Sequence, residues 1–227
     1  PKNNYDARSA FNWTGTYIYE GVVYDNMRYR LRQRNARYSG SGKRSFRFRF
    51  NKGNYLQAHD LDGKPYPTRW RTMNSQKCRG SRGTYNFGLV DISAAILWNV
   101  FDVPSPHAHL YHWRVIKGAE EAPAGADGQH YGDFFGYYFA MEDYDVRFLK
   151  AHGMEKGNLY KLMSYQTEGT TIRRYQESQA VSDGSDFENI IFNLRPDKSD
   201  AWLDQHVDYE HWNRYHAVIE AVRSFDV

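Results

Sequence analysis

The feature that most constrains this chain is the run of residues 27–50, M-R-Y-R-L-R-Q-R-N-A-R-Y-S-G-S-G-K-R-S-F-R-F-R-F. Side chains alternate across a strand with a period of two, so this pattern predicts two strands rather than a helix. Arg28, Arg30, Arg32 and Arg34 share one face of the first strand. On the second, Lys43, Ser45, Arg47 and Arg49 lie opposite Phe46, Phe48 and Phe50. S-G-S-G at Ser39 to Gly42 supplies the flexible connection that a hairpin needs. Eight Arg and one Lys, with no acid among them, give the stretch +9 in a chain whose total is +3, which leaves −6 elsewhere. Such segregation of charge points to an anion site.

A chain of 227 residues is long enough for one large domain or one two-lobed unit. Mean hydropathy is low at −0.83, but an aromatic content of 17% argues against disorder, because rings supply burial that aliphatics do not. No apolar run approaches the roughly 18 residues needed to span a bilayer. A single Cys78 excludes an internal disulfide and a Cys-based zinc site, and it fits either redox compartment. The opening P-K-N-N-Y-D, without Met or a signal-peptide pattern, reads as a processed or partial chain.

Taken in order, residues 1–14 read as a lead-in with Phe11 and Trp13 available for docking, and 16–26 as a strand that turns near Glu20-Gly21. Residues 51–86 are polar and rich in Gly, Pro and Asp, and the expectation is an irregular excursion carrying Trp70 and Asn74. Within it, C-R-G-S-R-G at Cys78 to Gly83 lacks the spacing of a phosphate-binding loop and reads as a solvated turn. Residues 89–101 have helical spacing and end before Pro104. Strands are predicted over 107–116, 134–141, 157–164 and 171–176, and a helix over 142–152 stopped by Gly153. Ser185 to Glu188 has the form of a capping box opening a helix to Leu194. A helix over 199–206 follows, and then a longer one capped by Asp208, with Trp212, Tyr215, Ile219 and Val222 on one face. Strands first and helices after give an α+β fold in one unit, sheet-rich over about 16–164 and helical from about 165.

Several constellations admit more than one reading. His107 and His109 share a strand face as two metal ligands would, but His112 points the other way and no acid or Cys is near in sequence, so structural histidines are favoured. His206, His211 and His216 scatter around a helix. Glu142, with Asp143 and Asp145, either pairs with a helix N-terminus or stands at the edge of a cleft where ligands collect. Lys161 is a solvated lysine or a phosphate contact. The basic hairpin is a nucleic-acid stripe, a cradle for one polyphosphate, or a set of partners for the acids elsewhere.

Four stretches in register resemble the spore-coat protein H kinase family, a group of atypical protein-kinase-like proteins. They are the basic hairpin, L-V-D-I-S-A-A-I-L-W-N-V-F-D-V-P-S-P, F-G-Y-Y-F-A-M-E-D-Y-D-V-R-F-L-K-A-H-G and G-N-L-Y-K, together spanning about residues 20–161. The tail D-Y-E-H-W-N-R-Y-H-A-V-I-E-A-V-R-S-F-D continues the order. Gln33 and Asp102 stand where the family usually has Gly.

The resemblance implies a protein-kinase-like fold, a sheet-rich front lobe followed by the start of a helical lobe. It implies ATP with Mg or Mn as cofactors and a protein carrying Ser or Thr as substrate, with nucleic acid disfavoured. Carried over by position, Lys43 meets the phosphates, Glu142 edges the nucleotide cleft, Lys161 adds a positive contact, and Asp226 is the catalytic base. No metal ligand is assigned within the chain, because the matching Asn and the W-D-x-D metal segment are expected beyond Val227. Family members are often exported or surface-attached. The alternative is a non-catalytic surface or structural module that keeps the fold.

Overall fold

A computed structural model describes residues 12–32, 45–78, 88–123, 132–162, 172–176 and 184–222, with backbone alone at 161–162 and 172–176. The protein is α+β, and it divides into two compact units: residues 1–95 with 106–143, and residues 96–105 with 144–227.

The first unit is built on a six-stranded antiparallel sheet. β1 (Trp13–Tyr19) and β2 (Val22–Leu31) form a hairpin whose turn residues Glu20 and Gly21 have φ of 48 and 79°. Two successive positive φ values match the right-handed twist of the flanking strands. β3 (Phe46–Arg49) pairs with β2, as the alternation of Arg and Phe predicts. β4 (Thr72–Lys77), β5 (Ala108–Arg114) and β6 (Phe134–Glu142) complete the order β1-β2-β3-β4-β6-β5.

One face of this sheet is aromatic. Tyr17, Tyr24, Met27, Phe48, Phe50, Leu56, Trp70 and Met73 are buried together. The rings of Tyr17 and Phe48 lie 5.3 Å apart, and those of Trp113 and Tyr138 4.5 Å apart. Each fully buried large side chain of this kind contributes about 1.5–3 kcal/mol.

β4 corrects the expectation of an irregular excursion over 51–86. Its sequence T-M-N-S-Q-K has no strand-like hydrophobic pattern, yet five of its six residues are buried. The reason is tertiary: β4 is flanked by β3 and β6, and its polar side chains find partners on β5 and just beyond β6. Ser75 Oγ meets Tyr111 Oη at 2.5 Å, and Asn74 donates to Asp143 at 2.9 Å. The excursion before it, 51–71, is irregular as expected, tied by isolated bridges between Leu56 and Trp70 and between His59 and Pro65.

α1 (Leu89–Val100) runs from the first unit into the second. Its Ile92 packs with Cys78, Ala108 and Phe139 on the sheet face opposite the aromatic one. Gly88 precedes it with φ of 86°, and a Cβ there would lie 2.7 Å from Cys78 Sγ.

In the second unit α2 (Val146–Ala151) is shorter than the helix expected over 142–152. Glu142 instead ends β6, because its backbone amide is taken by His107 O at 2.9 Å. Asp145 is the N-cap and accepts from the Arg147 amide at 2.8 Å. Gly153, with φ of 66°, ends the helix as predicted. β7 (Leu159–Leu162) pairs with β8 (Ile172–Gln176).

α3 (Ser185–Asn193) also departs from its predicted start: Gly184, not Ser185, is the N-cap, and no side chain caps it. One of the two acids of that first turn, Asp186, accepts from Asn158 at 2.8 Å and from the Tyr160 hydroxyl. α4 (Asp200–His206) is capped by Ser199. α5 (Tyr209–Val222) starts at Asp208, which accepts from the His211 amide at 3.0 Å. Its buried position is Val218, while Trp212, expected on the inner face, is 54% exposed. Tyr215 packs 5.2 Å from Trp98, and Arg214 pairs with Asp102 at 2.7 Å. Among the described residues, no helix is long and apolar enough to cross a membrane.

Candidate functional site

Strand register decides what the arginines do. Arg28 stands across from Arg49, and Arg30 across from Arg47. Arg47 in turn pairs with Asn74, and Arg49 with Thr72. These residues share the face opposite Phe48 and Tyr29, so the sheet carries an arginine face and an aromatic face, as the alternation predicts. α1 covers the β5–β6 side of that same arginine face through Ile92.

Some of the positive charge is matched within the sheet unit. Arg47 forms a direct ion pair with Asp143, whose other oxygen accepts from Asn74 at 2.9 Å. Arg32 donates to Gln76 Oε1 at 3.2 Å. Sequence reasoning missed Asp143 and Asn74 as a pair, because Arg47 and Asp143 are 96 residues apart and no local pattern joins them. Lys77, the last residue of β4, is 5% exposed and pairs with Tyr138 of the aromatic face.

Glu142 lies on the other face. It is 1% exposed, and its Oε2 accepts from the His107 amide at 3.3 Å and lies 2.9 Å from His107 Nδ1. The acid sought for His107 is thus 35 residues away in sequence, brought beside it by the β5–β6 pairing. Tyr66 packs on the His107 ring at 4.6 Å and donates from its hydroxyl to Ala108 O at 2.8 Å.

His109, on the aromatic face, is 5% exposed and stacks near Trp70 at 5.9 Å. Burial, with the neighbouring His59, lowers its pKa to about 4, so it is a neutral imidazole at ordinary pH. Its Nε2 lies 3.3 Å from the Tyr19 hydroxyl. Tyr19 itself is pushed up to about 12 by burial and by Glu20, and burial likewise raises Tyr66, Tyr111 and Tyr17. None of these phenols can serve as a base near neutrality. The aromatic face is therefore packing and hydrogen bonding.

Of the residues singled out in the sequence, Lys43 and Asp226 lie outside the described residues, as does the hairpin connection. Lys161 has its backbone in β7, across from Arg173, and its side chain is likewise outside the description. Glu142 is the one whose surroundings are resolved: a buried carboxylate held by His107. No protein-family model matches the chain, and no curated protein matches it.

Proposed function

We propose that the chain is the sheet-bearing part and the first helices of an ATP-dependent protein Ser/Thr kinase of the spore-coat protein H type. The observation that supports this reading is the order of connections. Antiparallel strands lead into a twelve-residue helix, two further strands return so that β6 pairs with β4, and the chain then turns helical. Protein kinases place a lysine on the strand before such a helix; the lysine of β4, Lys77, alternates with Met73 and Ser75 onto the aromatic face, so Lys43 is the phosphate contact of this reading. Phosphoryl transfer is mainly positioning and charge neutralisation, for which this reading relies on Lys43 and Lys161.

In this reading Lys43 meets the phosphates, Lys161 adds charge, and Asp226 takes the proton of the substrate hydroxyl. Glu142 fixes the end of β6 through His107. Mg or Mn bound with the nucleotide would neutralise charge on its phosphates.

Calorimetric titration of the full-length parent with Mg-ATP and Mn-ATP tests the proposal. Saturable binding is expected, weakened at least tenfold in Lys43→Ala. Asp226→Asn is expected to keep binding and lose phosphate transfer to serine; transfer at the original rate would remove Asp226 as the base, and absence of nucleotide binding would overturn the proposal.

A second reading, a non-catalytic interaction module with the same fold, is favoured by the internal use of two acids. Glu142 is engaged by His107, and Asp143 by Arg47 and Asn74. It predicts that the parent keeps its biological role when Asp226 is replaced by Asn.

A further inference from the structure

The arginine face ends in a cluster that the proposed nucleotide site does not use. Arg28 lies directly opposite Arg49 in the β2–β3 ladder, and Arg49 pairs onward with Thr72, next to Arg71 in the chain. Directly opposed residues hold their Cβ atoms about 4.5–5.5 Å apart. All three arginines are exposed, and among the described residues none of them makes an ion pair. Arg47, two residues from Arg49 in the same strand, has an acid in Asp143. Burial and then repulsion from Arg71, Arg28 and Arg47 lower the hold of Arg49 on its proton. Like charges placed directly opposite destabilise a sheet, so the cluster carries a cost that a bound anion would relieve.

We infer that Arg28, Arg49 and Arg71 form a binding site for a single phosphoryl or sulfate dianion, either free or carried on a peptide. Guanidinium groups present planar pairs of donors that match the oxygens of a tetrahedral oxyanion, and they stay charged at any working pH. The cluster is one anion wide, unlike the six to ten phosphate contacts typical of duplex binding. Nor does it offer a stacking platform for bases, because the rings of the same strands, Tyr29 and Phe48, lie on the opposite face. None of Lys43, Lys77, Glu142, Lys161 or Asp226 belongs to it, so it stands or falls apart from the nucleotide proposal.

The test titrates the protein with inorganic phosphate, with a short peptide carrying one phosphoserine, and with the same peptide unphosphorylated. Saturable binding of a phosphate-bearing probe is expected, weakened at least tenfold in Arg28→Ala, Arg49→Ala and Arg71→Ala. The exposed neighbour Arg69, replaced by Ala, should leave it unchanged. Arg49→Lys should also weaken binding, because it keeps the charge and loses the fork. A phosphopeptide that binds tenfold tighter than inorganic phosphate identifies a phosphorylated protein as the source; equal affinity identifies the free anion. Without ligand, Arg49→Met should raise the melting temperature by relieving repulsion, a gain that a merely structural arginine would not give. Binding that is equal in wild type and the three alanine variants, equal for the unphosphorylated peptide, or absent for every probe overturns the inference.

Discussion

His107 and Glu142 fasten together the two places where the chain enters and leaves the β5–β6 hairpin. Three contacts join them: the Glu142 amide to His107 O at 2.9 Å, the His107 amide to Glu142 Oε2 at 3.3 Å, and His107 Nδ1 to the same oxygen at 2.9 Å. Pro106 and Asp143 are the first and last residues of that segment of the sheet unit. A side-chain pair therefore closes the base of the hairpin beyond its last ladder bond.

Removing a buried acceptor leaves its partners unsatisfied, at about 1–3 kcal/mol for each donor. Glu142→Ala should lose that much unfolding free energy in urea. Glu142→Gln should lose less, since the amide oxygen still accepts from the His107 amide. A Glu142→Ala protein within about 1 kcal/mol of wild type would mean that the pair does not hold the strand end.

His109 gives a pH dependence of known sign. Its pKa when folded is about 4, against about 6.5 for an unfolded histidine. The unfolded chain binds a proton in that interval and the folded chain does not, so stability rises with pH across it. The contribution is complete above about 6.5 and is lost as pH falls toward 4, with a slope of at most about 1.4 kcal/mol per unit. Urea midpoints between pH 4 and 7 should show a shallower slope in His109→Gln than in wild type; identical slopes would assign the dependence to other groups.

Gly88 is constrained twice, by φ of 86° and by Cys78 Sγ, 2.7 Å from where its Cβ would lie. A left-handed conformation costs a non-glycine residue about 1–2 kcal/mol. Gly88→Ala should lose more than this, and Cys78→Ala in the same chain should recover the excess and leave the backbone cost. If the two substitutions are simply additive in thermal melts, the contact is not the source of the penalty.

Asp145 caps α2 through the Arg147 amide. Asp145→Ala should cost about 1 kcal/mol, typical of a lost cap, and should speed amide exchange at Arg147 and Phe148 before the rest of the second unit. Unchanged exchange at those two amides would remove the cap from the account.

The parts legible in the sequence are those set by neighbours along the chain. Arg and Phe alternate every second residue in β3, and this placed both faces of the hairpin. Gly153 marked the end of α2, and Asp208 the start of α5, because each acts within a few residues of itself. β4 was not legible: T-M-N-S-Q-K is polar, and only strands on both sides make it an interior strand. Glu142 shows the same limit, since a local reading put it in a helix and its amide is claimed by a residue 35 positions earlier. Arg47 and Asp143 met across 96 residues, a pairing that sheet order alone creates.

β3 has a consequence for how a lineage of such proteins can change. In four residues, Phe46 and Phe48 serve the interior while Arg47 and Arg49 serve the surface. A single-base change at Arg49 can alter the charge of the surface while the rings that hold the sheet stay as they were. Surface charge and foldability are thus inherited through alternate codons of one short strand, and selection can revise the first without reopening the second.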